Sequence, residues 1–394
     1  MLLELSSDQE FFQKTTARFL AENAPVAELR RLRDDPVGFR STYWRQGAEL
    51  GWTSLLVAEG DGGVSISGRG LVDLALVAYE FGRHAAPGPL VSTNVVASAL
   101  SVAGTESQKE LIAALLDGTA TGAWGITEAA PHDGLSNLTF DIALDGDELV
   151  LNGVKRTVES ASQASHLLIT GRTRAGAAAA AGLTQVIVPT GTKGISLVPM
   201  SGVDLSRRFS VVKFDQVRVP ASSVLGRVGE ASADVERQLQ QALVLLSAEA
   251  VGAMQAAFDM TVEWSFDRYS FGRPLASYQA LKHRFALMAT WLQASHAISD
   301  EAASAVTDGR DDAPELVSAA KAYVGQYGAE LLQDCVQLHG GIGVTFEHDL
   351  HLFLRRITLI RTLLGTPDEH QRRIAGLISR RLSPPQPLTG GSAS

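Results

Sequence analysis

From about residue 7 to residue 118 the apolar positions recur every three or four residues, broken by short Gly/Pro stretches such as "EGDGG" (Glu59–Gly63) and "APGPL" (Ala86–Leu90). That pattern predicts helices, with segments around Tyr43–Leu50, Gly70–Phe81 and Val95–Val102. Ser7 followed by Glu10 fits a capping box at the first helix start, where each side chain takes up a free backbone N–H. Between residues 121 and 228 the period shortens. Runs rich in Val, Ile and Thr alternate with turn signals at Asp145-Gly146 and Asn152-Gly153. Strands are expected at Asp147–Leu151, Leu167–Gly171, Gln185–Val188, Ser196–Pro199 and Phe209–Phe214, with the Ala-rich Ala175–Ala181 as a surface loop. Strands so spaced, without helices between them, imply an antiparallel barrel or sandwich.

Beyond Gly229 helical spacing returns. Val235, Leu239, Leu243, Leu246, Ala250 and Met254 form one stripe, and others run through Leu275–Ala303, Ala313–His339 and Leu350–Arg381. The chain of 394 residues exceeds what one core holds. The expected fold class is α+β: an N-terminal helical domain (1–120), a middle β-domain (121–228), a C-terminal four-helix bundle (229–382) and a disordered Pro/Gly/Ser-rich tail (383–394).

Composition narrows the function. With 45% hydrophobic and 20% charged residues the chain reads as an ordinary globular protein. A formal net charge of -9 with scattered basic residues argues against nucleic acid or an anionic membrane as a partner. Cys335 is the only cysteine, which excludes an intramolecular disulfide or thiolate cluster and favours a reducing compartment. Its expected role is that of a small buried hydrophobe. The start lacks the basic and apolar regions of a secretory signal, and no run approaches a membrane span. A cytoplasmic location is expected.

Five segments then carry a resemblance. "LGWTSLLVAEGDGG" (Leu50–Gly63), "ITEAA" (Ile126–Ala130), "FDQVRVPASSVLG" (Phe214–Gly226), "DRYSFGRPLASYQALKHRFA" (Asp267–Ala286) and "QLHGGIGVTFEHDLHLFLRR" (Gln337–Arg356) resemble, in order and spacing, signatures of the acyl-CoA dehydrogenase family. The resemblance spans about Leu5 to Leu382 and implies the same three-part layout. It also implies FAD as cofactor, an acyl-CoA thioester as substrate, desaturation to the trans-2-enoyl form, and electron-transfer flavoprotein as electron acceptor. That chemistry needs a carboxylate against the weakly acidic C–H beside the thioester carbonyl, while the flavin takes hydride from the next carbon. The carbonyl needs hydrogen bonds that strengthen as enolate character grows.

By resemblance, Arg268 with Ser270 and Phe271 matches the position whose guanidinium meets the flavin pyrophosphate, a task suited to a planar fork of donors. Tyr278, Gln279, Gln337, Gly340 and Gly341 match further dinucleotide contacts. In the family these residues serve the flavin held mainly by the neighbouring subunit. The middle segment departs from the pattern. "AAPHDGLSN" (Ala129–Asn137) replaces a Gly-rich turn ending in Ser-Asp, and Thr157, Val158, Glu159 and Ser160 replace the "Trp-Ile-Thr-Asn" that backs the ring. An aromatic wall is lost, and Glu159 places negative charge where an anionic reduced flavin would sit.

The family's base occupies one of two locations, which correspond here to Leu364, before Gly365-Thr366, and to Ala242. Neither side chain takes a proton. Glu249 lies seven residues beyond Ala242 and returns to within about 20° of the same helical face, roughly 10 Å along the axis. It is a candidate for a relocated base, or a structural glutamate paired with an Arg or His. Asp368 and Glu369 read as solvated helix charges. Glu347, His348 and His351 lack the spacing and third ligand of a zinc site and are expected to pair with Asp349, Arg355 or Arg356.

A chain that lacks a base yet keeps residues reaching into a neighbour's flavin site reads as the second subunit of an α2β2 heterotetramer. Some actinobacterial members linked to steroid side-chain degradation pair an intact subunit with a degenerate one in this way. The alternatives are a self-sufficient homotetramer using a base such as Glu249, a flavin monooxygenase on the same fold, or a non-enzymatic subunit.

Overall fold

A computed structural model of the chain describes residues 4–129, 138–173 and 182–382. The Ala175–Ala181 loop, residues 130–137 of the altered segment and the tail 383–394 lie outside the described residues. The first region comprises α1 (Ser7–Asn23), α2 (Ser41–Glu49), α3 (Gly70–Arg83), α4 (Leu90–Ala103) and α5 (Glu106–Leu116). α1 is capped one residue earlier than expected, by Ser6 rather than Ser7. The Ser6 hydroxyl accepts from Gln9 N (3.2 Å), while Ser6 N donates to the Gln9 side chain (3.1 Å). Glutamine thus performs the back-reaching role expected of Glu10.

The sheet is built from β1 (Gly122–Gly125), β2 (Asp141–Asp145), β3 (Glu148–Glu159), β4 (His166–Thr173), β5 (Gly182–Pro189), β6 (Ile195–Met200), β7 (Phe209–Pro220) and β8 (Val224–Leu225), in the order β6-β7-β3-β2-β4-β5-β8 with β1 beside β4. The five expected strands are present. The sheet is nevertheless mixed rather than wholly antiparallel, because β1 and β2 both run parallel to β4. β1 is only four residues long and has no alternation to read. Phe140, Ile142, Leu151, Val158, Val186, Val212 and Phe214 fill the sheet's own core.

α6 (Ser232–Asp267) leads through the hairpin β9 (Tyr269–Ser270) and β10 (Arg273–Pro274) to α7 (Gln279–Thr307) and α8 (Ala313–His339). The last expected helix is two, α9 (Leu350–Thr362) and α10 (Pro367–Leu382). The chain turns between them because Leu364 (φ 57°) and Gly365 (φ 119°) are left-handed, and Thr366 with Glu369 caps the new helix. Glu369 is therefore a capping residue rather than a purely solvated charge. Within α6 an 18-residue window with mean hydropathy 1.3 is long and apolar enough to cross a membrane by length and composition, contrary to expectation, but 72% of it is buried inside the protein.

The N- and C-terminal helices share one apolar core, into which Trp52, Leu74, Phe81, Leu243, Met254, Leu331 and Phe353 all project. α3 and α6 meet backbone to backbone. A Cβ on Gly82 would lie 1.8 Å from the Glu249 carbonyl oxygen, and one on Gly252 would lie 1.9 Å from that of Tyr79. Glycine at both positions fixes this crossing and, with it, the place of Glu249 on α6.

Candidate active site

A one-residue bulge shapes the end of β3. Lys155 pairs with Val212 and Val158 with Ser210, so three steps on β3 match two on β7. Thr157 takes a left-handed conformation (φ 52°) to absorb the extra residue. Beyond it Val158 points into the sheet core, and Glu159 faces a cleft of about 430 Å³. Its walls include Trp124 of β1, Ile126 and Thr127 just beyond that strand, and Phe209, Leu246, Leu363 and Leu364.

Two buried lysines hold these walls by donating to backbone carbonyls. Lys155 Nζ reaches Ile126 O (3.2 Å) and the Glu128 carboxylate (2.7 Å), and Glu128 also accepts from Thr139 and Phe140 N–H. Lys321 Nζ reaches Gly365 O (2.9 Å) and Arg361 O (3.2 Å), fixing the turn that presents Leu364. Burial lowers Lys155 to about 8 and Lys321 to about 7.

Behind the cleft lies a buried chain of charges. Arg356, fully buried, pairs through Nε with Asp204 and through Nη1 with Glu249 (2.6 Å), and donates to Ser206 Oγ and to Ala85 O and Ala86 O. Arg207 donates through Nη1 to both Glu249 oxygens (3.4 and 3.3 Å) and through Nε to Glu159 Oε1 (2.5 Å). Three carboxylates, Asp204, Glu249 and Glu159, thus face two guanidiniums, leaving one negative charge when all are ionised. Burial raises the pKa of Glu159 despite Arg207, and Glu249 adds to the rise. At Asp204 burial opposes ionisation, but Arg356 overcomes it and the pKa falls.

The base positions expected from sequence separate here. Leu364 is half-buried on the cleft wall. Ala242 is fully buried in α6. Glu249 is held by two arginines and is not among the residues lining the cleft. Its two arginine partners match the alternative reading of a structural glutamate. Among the described lining residues the sole carboxylate is Glu159. Its partner Arg207, with Asp204 and Arg356, was missed from sequence. The run "DLSRRF" (Asp204–Phe209), two arginines between apolar residues, was the available hint.

The residues matched to dinucleotide contacts gather elsewhere. Arg268 caps α6 and is exposed, and among the described residues it makes no ion pair, with Asp267 or any other. Tyr278 donates its hydroxyl to Ser270 O (2.7 Å), and the Arg273 guanidinium lies 3.8 Å from the Tyr278 ring centre. Phe271, at the hairpin tip, is 98% exposed with φ 49°. Gln279 and Gln337 are exposed, and nothing lies within 4 Å of a Cβ placed on Gly340 or Gly341. The Arg284–Asp334 ion pair (2.6 Å) joins the start of α7 to the end of α8, so both groups share one end of the helices. Lys321 touches the Leu364 turn and Gln337 ends the same helix, roughly 24 Å further along at 1.5 Å per residue.

Nearby, His351 accepts from Arg355 Nε (3.2 Å), His348 accepts from Leu350 N (3.1 Å), and Asp349 pairs with Arg30. Arg356 serves the buried charges instead. Cys335 is buried, and burial pushes its thiol up to about 12.

FAD fits the two places differently. At the hairpin end an exposed arginine and open glycines suit an approaching pyrophosphate. At the cleft, Trp124 Nε1 lacks a partner and could meet a ligand acceptor, but the buried Glu159–Arg207 pair and its surplus negative charge oppose an electron-rich ring.

This layout of helices, sheet and helices is the acyl-CoA dehydrogenase fold. The butyryl-CoA dehydrogenase of Megasphaera elsdenii superposes with a TM-score of 0.87 at 23% identity, covering 96% of this chain and 100% of that one. The family models for the acyl-CoA dehydrogenase N-terminal domain (residues 6–119) and C-terminal domain (residues 233–378) match well over half of the sequence. The chain belongs to the acyl-CoA dehydrogenase family, flavoproteins that act on CH–CH bonds. Acyl-CoA dehydrogenase IpdE2 of Mycobacterium tuberculosis is 27% identical over 368 residues, 93% of this chain and 96% of that one. A variant of the Tcur3481-Tcur3483 steroid ACAD superposes with a TM-score of 0.85 at 26% identity, covering 95% and 98% of the two chains.

Proposed function

We propose that this chain is the base-lacking subunit of a heteromeric α2β2 acyl-CoA dehydrogenase, desaturating a steroid side-chain or fatty acyl thioester with FAD. The observation that carries the reading is Leu364 on the cleft wall with Ala242 sealed in α6, while Glu249 is neutralised by Arg207 and Arg356. A similar structure whose name pairs two designations and the word steroid supports both the pairing and the substrate class. Electron-transfer flavoprotein is the proposed acceptor and the cytoplasm the proposed location.

FAD supplies the hydride acceptor of the reaction. This chain's part is to place it: Arg268 extends free donors from the end of α6, and the bare backbone at Gly340 and Gly341 lets the dinucleotide lie close. The hairpin is stiffened for that task by the Tyr278–Ser270 hydrogen bond and by Arg273 over the Tyr278 ring. The proton leaves to a carboxylate of the homologous partner, since the apolar Leu364 can hold none.

Acyl-CoA-dependent reduction of an acceptor dye tests this reading, with the pure chain compared with the chain co-purified with a homologous neighbour. Turnover is expected only from the pair. Turnover by the pure chain would overturn the assignment.

A further inference from the structure

The charges behind the cleft lead to a conclusion about where the cofactor is held. We infer that the Glu159–Arg207 ion pair bars the flavin ring from this chain's own cleft, so that the flavin of the assembly lies in the partner's cleft and is reached by the Arg268 hairpin. This rests on the heteromeric reading and sharpens it to one flavin for every two chains.

The bulge at Thr157 turns Glu159 out of the sheet and into the cleft, where its carboxylate is the only one among the described lining residues. Arg207 locks it there at 2.5 Å, and both side chains are buried. The lock is itself anchored: Arg207 is held by Glu249, Glu249 by Arg356, and Arg356 by Asp204, Ser206 and two backbone carbonyls. Rotating Glu159 aside would strand Arg207 with a single remaining acid, so the obstruction is fixed in place by five linked groups. When all five groups are ionised, their surplus negative charge opposes a ring that becomes more negative on reduction. Thr157, where the family resemblance places an aromatic residue, offers no flat surface to compensate.

The alteration has a simple reversal. Glu159→Gln removes the surplus charge while keeping size, leaving two carboxylates against two guanidiniums; Glu159→Thr removes charge and bulk together. FAD is titrated into the purified full-length chain, and flavin fluorescence, flavin-to-protein ratio after gel filtration, and melting temperature are recorded. The wild-type chain is expected to retain little flavin. Glu159→Thr is expected to bind FAD at least tenfold more tightly, with Glu159→Gln between the two, and should Glu159→Thr fail to fold, Glu159→Gln carries the test. A wild-type ratio near one per chain overturns the inference. So does a folded variant that binds no better than wild type. Either result leaves the heteromeric reading to stand or fall on the turnover comparison, since a chain can hold flavin and still lack a base.

Discussion

The two ends of the C-terminal helices make opposite use of arginine. At the cleft end Arg207 and Arg356 are buried, every ionic partner belongs to the same chain, and their carboxylates outnumber them. At the hairpin end Arg268 stands exposed beside an exposed Phe271 and two uncovered glycines. The first arrangement is complete in itself. The second is complete only when something anionic arrives. On the proposed reading, the closed site and the open one fit a chain that completes a neighbour's site, and each contrast between the ends can be tested.

The largest effect is expected from Arg356→Met. It leaves Asp204 and Glu249 buried with fewer partners, and breaking a buried pair costs about 3–5 kcal/mol. Urea unfolding monitored by circular dichroism should show a midpoint lowered accordingly; a change under about 1 kcal/mol would mean that water already enters the network.

Arg268→Ala sharpens the contrast from the other side. Stability should stay within about 0.5 kcal/mol of wild type, as for an exposed position, while the assembly loses about 1.5–3 kcal/mol of flavin affinity. Equilibrium dialysis of FAD against the co-purified pair would read that loss, and unchanged affinity would remove Arg268 from the cofactor site.

Gly252→Ala tests whether the close crossing of α3 and α6 holds Glu249 in register. A Cβ 1.9 Å from Tyr79 O forces the helices apart, and overpacking of this kind costs about 1–3 kcal/mol by thermal unfolding. A silent substitution would show that the crossing yields freely.

A pH-dependent effect concerns the turn carrying Leu364. Burial lowers Lys321 from 10.5 to about 7, so between those values the unfolded chain holds a proton that the folded chain has released. The stability of wild type relative to Lys321→Met should therefore rise with pH from about 7 to 10.5, by at most about 1.4 kcal/mol per unit. A pH-independent difference between the two proteins would show that Lys321 stays charged in the fold.

Much of this was legible in the sequence, and the reasons for the rest are physical. The helices and the five longer strands announced themselves through apolar runs of helical or strand length between turn signals, although α3, α4, β4 and β5 are buried on nearly every face. Leu364 and Ala242 were matched to the family's base positions through the spacing of neighbouring motifs. The four-residue β1 and its parallel pairing with β4 could not be read, since parallel neighbours leave no local turn signal. Glu159 was legible as a misplaced charge but not as half of an ion pair, because Arg207 lies 48 residues away and meets it only through the bulge at Thr157. Glu249 looked available for the same reason: Arg356, 107 residues further on, claims it only in the folded chain.

On the proposal above, this chain holds a neighbour's flavin and none of its own. The most direct measurement is the flavin-to-chain ratio of the chain co-purified with its homologous partner, by absorbance after denaturation. About one flavin for every two chains is expected, falling on Arg268→Ala. One flavin per chain, unaffected by that substitution, would contradict the claim.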